Sequence, residues 1–321
     1  LILEAQLSTA LQNSGRMQSQ QNGLAGIEIL FDETSGTGLS PRLNAFWNAW
    51  MDLANNPGGQ VERSQLLARS QELTQMFNTL WGNLSQIQHN TNAAVGDTVA
   101  DINEITAQLA NLNAQIRQAD LEGRDANELK DARTQLLKDL SERIDVTSYE
   151  KNDGTVSVFL ASGRALVEST DHIRLETVAG TQPFQDDVVW VDSQGNQTII
   201  TNQINNGQLK GWIEVRDSII PDIQNHLDDL ANGIITELNA LHGTGLALDG
   251  TQNDFFTGTS AADIAVNPIV LNDTDKIAAA ANTEGLPGGN GIALAIAGLQ
   301  EATVMNGGRS NFGQFYSALV S

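Results

Sequence analysis

Leu3, Leu7, Ala10, Ser14, Met17, Gln21 and Leu24 recur at alternating spacings of three and four residues, which places them on one face of a helix. Only half of that face is apolar. It suits a helix that belongs to a longer bundle or coiled coil, and the opening Leu1-Ile2-Leu3 reads as the middle of a helix rather than its start. Residues 34–38, with two glycines among hydroxyl side chains, break the pattern. Ser40-Pro41 restarts it, the serine as N-cap and the proline at the first helical position. That second helix carries Leu43, Phe46, Trp47, Trp50, Met51 and Leu53 until Asn55-Asn56-Pro57-Gly58-Gly59 stops it.

From Gln60 to about Ala119 there is no proline, and a near-heptad seam runs from Leu66 through Phe77, Leu84, Val95, Ile102 and Leu109 to Ile116. At 1.5 Å per residue, about 60 residues make a helix on the order of 90 Å long. Gly82 and Gly96 each cost about 1 kcal/mol relative to alanine and mark where it would bend or break. Residues 126–144 form a second amphipathic helix that folds back through the turn at 121–124, giving an antiparallel helical hairpin.

After Asp145 the period falls to two. Residues 146–151 and 155–160 alternate around Asn152-Asp153-Gly154, a hairpin signal, and short strands follow at 164–168, 172–178, 188–192 and 197–201. Helix then resumes after Asp217: Ile219, Ile223, Leu227, Leu230, Ile234, Leu238 and Leu241 share one face. Pro221 fits there only in a first turn, with Asp217 or Ser218 as N-cap. His242-Gly243 ends the helix, the imidazole favourable beside the C-terminal dipole. The remainder predicts a strand pair near 264–271, an Ala-rich helix around 276–282, a helix from about Asn290, and a last segment from Phe312. The fold class is therefore mainly α with an inserted small all-β domain, α+β and multidomain. A discontinuous helical core of 1–146 plus 207–321, with short β-hairpins near 245–275, carries an outer β domain of 147–206.

Charge narrows the function. The 321 residues include 17 Lys+Arg against 39 Asp+Glu, a net charge of −22, which disfavours nucleic acid and anionic lipid and points to a protein partner. With no cysteine, a disulfide scaffold, a thiolate metal site and a Cys nucleophile are excluded. Only 17% of residues are charged, so the surface is polar but comparatively uncharged, as in some exported proteins. No signal peptide and no apolar run of bilayer length is legible, although the chain reads as cut at both ends.

Candidate chemistry is sparse. His89, His172, His226 and His242 are scattered without ligand spacing, so they read as solvated or capping side chains. Residues 249–254 superficially resemble a calcium loop, yet Gly250 and Thr251 stand at the wrong places and no closing Glu follows. Gly243-Thr244-Gly245 lacks the third glycine of a dinucleotide fingerprint and follows a helix, and no nucleophile elbow or phosphate loop occurs. Asp186-Asp187 and Asp228-Asp229 are adjacent pairs whose members face different ways, so an acid pair for hydrolysis would have to be assembled from distant residues. No cofactor, metal or catalytic set is expected. Trp47 and Trp50, three apart beside Phe46, are either an aromatic patch for a partner subunit or a core face.

Four stretches carry a family likeness. They are Ser35-Gly36-Thr37-Gly38-Leu39-Ser40 running into 43–57; Asp131-Ala132-Arg133-Thr134-Gln135-Leu136-Leu137 leading to the hairpin at 153–156; Gly207-Gln208-Leu209-Lys210-Gly211-Trp212-Ile213-Glu214-Val215-Arg216-Asp217 with Ile220-Pro221 and the helix beyond; and Tyr316-Ser317-Ala318-Leu319-Val320-Ser321. In order and over nearly the whole chain, these resemble the flagellar hook-associated FlgK family of hook-filament junction proteins. The resemblance implies the long helical-bundle core of a flagellar axial protein, lacking its terminal helices. It further implies an extracellular structural adaptor, exported through the flagellar type III pathway and placed as a ring between hook and filament. The implied partners are further copies of itself, the hook protein, the next junction protein and an export chaperone bound through the missing C-terminus. Leu3, Leu7 and Leu11 would continue the coiled coil, while Trp47, Trp50, Arg216 and Pro221 would set shape. The alternatives are another axial protein, such as flagellin or the second junction protein, or an extracellular adhesin or hydrolase carried by the β domain.

Overall fold

The computed structural model describes residues 2–33, 36 and 38–320, without the side chains at 2 and 3. By backbone contacts the chain divides into two compact units, Leu1–Gly26 with Gln86–Ile220, and Ile27–Ser85 with Pro221–Ser321. The architecture is mainly α with a small antiparallel β region.

The helices α1 (Ile2–Leu30), α2 (Leu39–Asn55) and α3 (Gln60–Leu121) follow the apolar periodicity, and α3 passes through Gly82 and Gly96 as one helix of 62 residues. Two glycines cost less than the continuous apolar seam on either side of them supplies. The start of α2 differs from expectation. Its N-cap position is Gly38, and the first-turn amides of Leu39 and Ser40, which have no partner in the helix, donate to the Glu33 carboxylate at 3.0 and 3.4 Å, so the acid caps the helix and Ser40 lies inside it.

In the first unit α4 (Asn127–Arg143) returns along α3 and leads into β1 (Val146–Glu150) and β2 (Val156–Leu160), paired from Val146 opposite Leu160 to Glu150 opposite Val156. With β3 (Ala165–Glu168) and β4 (Asp171–His172) these make a four-stranded antiparallel meander. A second sheet holds β5 (Arg174–Val178), β6 (Asp187–Val191) and β7 (Gln197–Ile199). The single strand expected at 172–178 is thus two, split at Ile173 between different sheets. One core joins both sheets to helices: Val95, Val99 and Ile102 of α3 and Leu140 of α4 pack with Val158, Leu166 and Val188. It also includes Leu209 and Ile213 of α5 (Gly207–Glu214).

Helix therefore resumes earlier than expected. α5 begins at N-cap Asn206, passes through one π-helical turn at Val215–Ile219 and continues as α6 (Ile220–His242). Pro221 lies inside a continuing helical run, with neither Asp217 nor Ser218 as a cap.

The second unit packs an aromatic core. Trp50 is fully buried, with its ring centroid 5.1 Å from that of Phe255, and Trp47 stacks on Phe312 at 5.7 Å. A two-stranded ribbon of β8 (Phe256–Thr257) and β9 (Ala265–Val266) precedes the short helix α7 (Pro268–Asn272), which occupies part of the segment expected as strand. Residues 277–280, expected as an Ala-rich helix, are extended and buried instead. Leu246 N–H donates to the Ala280 carbonyl at 2.8 Å, and Ile292 N–H to that of Ala279 at 3.0 Å. A short apolar run does not by itself distinguish a buried helix from a buried extended segment. Then come α8 (Gly291–Gly298) and α9 (Phe312–Leu319), the latter closed by an Asn311–Gln314 capping box.

Candidate functional site

The two faces of α1 differ in what they touch. Gln12, Gly15, Ser19 and Gly23 are buried. A Cβ at Gly15 would overlap the Glu142 carbonyl oxygen, and one at Gly23 would come within 2.8 Å of Val215, so glycine sets the close approach to the rest of the first unit. Polar contacts fix the register. Gln12 Nε2 donates to the Val146 carbonyl at 3.0 Å, Ser8 and Ser141 hydroxyls meet at 2.9 Å, and Arg16 forms a two-pronged pair with Glu214 at 2.8 and 2.7 Å. The apolar seam read from sequence points elsewhere. Leu7 is 46% exposed and Met17 69%, with Ala10 and Ser14 exposed between them, Gln21 exposed one turn beyond, and Leu11 half-buried. The Leu3 side chain lies outside the described residues.

Arg216 is 1% exposed, and its guanidinium donates four hydrogen bonds to three residues. Its Nε and Nη2 donate to the Asp217 carboxylate at 2.6 and 2.9 Å, and Nη1 donates to Asn92 Oδ1 and the Asp186 carbonyl, both at 2.8 Å. A buried guanidinium thereby ties α3, the entry to β6 and the π-turn at one point. The π-turn has its own requirement. Ile220 N–H bonds to Val215 C=O five residues back, and the same register would pair residue 221 with the Arg216 carbonyl, but Pro221 has no N–H. Gln88 Nε2, from α3, donates to that carbonyl at 3.0 Å. The proline and the glutamine are thus two halves of one arrangement.

Three asparagines on α3 fasten the strands, and sequence reasoning missed them. Asn92 exchanges two hydrogen bonds with Asp186, through its backbone N–H and its carboxylate, at 3.0 and 2.9 Å. Asn103 exchanges two with the Leu175 backbone, both 2.8 Å, and Asn113 binds Val156 N–H, Val156 C=O and Ser169 C=O at 3.0, 2.7 and 2.6 Å. A side-chain amide matches the donor and acceptor of a strand's own edge. The signal was their spacing of about three turns beside the apolar seam. Arg133, 5% exposed, extends the last clamp by donating to the Gly154 carbonyl at 2.6 Å and to Glu150 at 3.0 Å.

Trp47 and Trp50 are 2% and 0% exposed within the second unit, and Pro221 is partly buried in α6. Of the histidines, His242 departs from the solvated or capping role: it is fully buried, Nε2 accepts from Ala278 N–H at 2.8 Å, and Nδ1 therefore donates to the Asn253 carbonyl at 2.6 Å. Burial pushes its pKa down to about 4, so it is neutral and carries no charge toward the helix end. Burial also raises Asp145 in the first unit to about 6, against hydrogen bonds from Asn205. Tyr316 donates to Glu33 at 2.5 Å, and burial and that carboxylate push its phenol up. In the loop resembling a calcium site, Asp249 is engaged by Thr251 and by the Lys276 ammonium, which hold its carboxyl well below the usual range. Among the described residues no three His, Asp or Glu side chains gather into a metal-sized group, and no helix is long and apolar enough to cross a membrane.

These features define a class: a mainly helical protein whose strands are clamped to a long helix and whose first helix keeps an uncovered, half-apolar face. The model of the flagellar hook-associated protein FlgK helical domain matches residues 24–256, and the chain belongs to the FlgK family. It is 27% identical over 284 residues to flagellar hook-associated protein 1 of Bacillus subtilis, covering 81% of this chain and 56% of that protein. The corresponding Salmonella typhimurium protein is 30% identical over 257 residues, covering 78% and 46%. The structure of the flagellar hook junction protein FlgK from Burkholderia pseudomallei superposes with a TM-score of 0.68 at 25% identity, over 78% of this chain and 46% of that one. The chain thus spans about half the length of these relatives.

Proposed function

We propose that the protein containing this chain is an exported, extracellular component of the bacterial flagellum that joins hook to filament, and that it acts by packing between subunits and not by catalysis. The observation that carries this reading is the uncovered seam of Leu7, Ala10, Ser14 and Met17, on a helix whose opposite face is already closed by Gly15, Ser19 and Gly23. A helix with one face satisfied within its own unit and an apolar stripe left over is built to receive another helix. In this reading Leu3, Leu7 and Leu11 extend a coiled coil, Trp47, Trp50, Arg216 and Pro221 set the shape, and 147–206 is an outer domain on the helical core of 1–146 plus 207–321. The partners are further copies in a ring, the hook protein, the next junction protein and an export chaperone.

Electron microscopy of cells lacking the gene, beside cells complemented with the full-length protein, tests the reading. Hooks without filaments and flagellin shed into the medium are expected from the deletion strain. Normal filaments there would overturn it.

A further inference from the structure

The sequence contains five Asn-Gly pairs, at 22–23, 206–207, 232–233, 290–291 and 306–307. In an Asn-Gly pair the glycine amide nitrogen can attack the asparagine side-chain carbonyl, because no Cβ on the following residue hinders its approach. The structure treats the five differently. Asn22 and Asn232 lie within α1 and α6, where the following N–H belongs to the helical ladder. Each also holds a partner: Asn22 Oδ1 accepts from Gln18 and Asn232 donates to the Thr259 carbonyl. Asn206 caps α5, accepts from Gly207 N–H and donates to Asn13. Asn290 donates to the Ala54 carbonyl at 2.8 Å.

Asn306 is different. It is exposed, its φ is +57°, and its side chain has no hydrogen-bond partner among the described residues. Gly307, at φ +67°, follows in the same turn; its N–H is likewise unbonded and a Cβ there would meet open space. The turn is closed around these two residues without using them. Gly308 and Arg309 N–H both donate to the Met305 carbonyl, and Met305 N–H donates to that of Ser310.

We infer that Asn306 is a site of spontaneous deamidation, singled out from the other Asn-Gly pairs by the fold. The deprotonated Gly307 nitrogen bonds to Asn306 Cγ and the side-chain nitrogen leaves as ammonia, closing a five-membered succinimide. Water then adds to either ring carbonyl and opens the ring to aspartate or isoaspartate, with no change of oxidation state. Each event adds one negative charge, and the isoaspartate product lengthens the backbone by one carbon in the turn that leads into α9. The Asn290 and Asn206 side chains are withheld from the same chemistry by the partners that hold them.

The test is peptide mapping by mass spectrometry of the intact chain aged in mildly alkaline buffer at physiological temperature, with isoaspartate counted separately by an isoaspartyl methyltransferase. Conversion at Asn306 is expected to be at least roughly tenfold faster than at any of the other four pairs. In denaturant, where all five share the same local sequence chemistry, the rates should converge. Asn306→Gln should remove the fast phase and leave the slow ones. Faster conversion at another pair, or an Asn306 rate no higher in the folded chain than at Asn290, would overturn the inference.

Discussion

Acidification should act on the two units in opposite directions. In the second unit His242 is neutral with a pKa of about 4, against 6.5 for a free imidazole. At pH 5 the unfolded side chain binds a proton and the folded one does not, so stability present above about pH 6.5 is lost as pH falls toward 4. In the first unit Asp145 is raised to about 6 from 3.8. There the folded carboxyl keeps its proton at pH 5 and the unfolded one has lost it, so stability is greatest below about pH 4 and is lost as pH rises through 6. Between about pH 7 and pH 5 the His242 linkage costs the second unit about 2 kcal/mol, and the Asp145 linkage adds about 1 kcal/mol to the first.

Hydrogen exchange followed by mass spectrometry resolves peptides from each unit, with rates referred to an unfolded-chain control at each pH. Opening free energies should fall with acid in peptides around 242–256 and rise around 145–160. His242→Gln retains a donor and an acceptor while removing the titration, and should flatten the first slope alone; Asp145→Asn should flatten the second alone. The other carboxylates titrate in parent and variant alike and cancel in the comparison. Equal slopes in both units, or slopes that survive the two substitutions, would refute the reasoning.

The packing sets four further outcomes. Gln88→Leu leaves the Arg216 carbonyl without a donor and should cost about 1–3 kcal/mol in denaturant unfolding; Pro221→Ala in the same chain restores an N–H and should recover part of that loss, so additive costs would sink the pairing. Asn113→Ala removes two hydrogen bonds to the Val156 backbone and one to the Ser169 carbonyl in the β3–β4 turn, and should destabilise the first unit by about 2–3 kcal/mol, read as faster exchange of Val156 and its neighbours. Met17→Asp should change stability by less than about 0.5 kcal/mol while abolishing filament attachment in cells, whereas Trp50→Ala should cost about 3–5 kcal/mol in unfolding assays.

Most helices were legible because long apolar seams repeat a helical period many times over, and α3 is the extreme case. Boundaries went wrong where a distant group supplied what the local sequence lacks. Ser40-Pro41 reads as a start, but the Glu33 carboxylate reaches the amides of Leu39 and Ser40 and begins α2 sooner. Pro221 reads as a first-turn residue because a proline deeper in a helix strands a carbonyl. Gln88, more than a hundred residues earlier in the chain, removes that penalty, and nothing near 221 announces it. The strand at 172–178 fails for a related reason: its alternation is continuous, but Ile173 N–H pairs with Leu166 C=O on one side while Leu175 N–H is claimed by Asn103 on the other.

The same logic separates what was visible of the site from what was not. The α1 seam was visible because an uncovered face obeys only its own periodicity. Its buried counterpart, Gln12, Gly15, Ser19 and Gly23, carries the intramolecular contact with no large apolar side chain, so a search for hydrophobic stripes passes over it. Asn92, Asn103 and Asn113 escaped for the converse reason: a solvated asparagine and one clamped to a strand edge look alike until the strand is in place. Arg216 drew attention through a motif, yet its role comes from Asn92 and Asp186, which no motif joins to it. In this chain apolar spacing lays out the helices, while side-chain amides and guanidinium groups decide which strand meets which turn of helix.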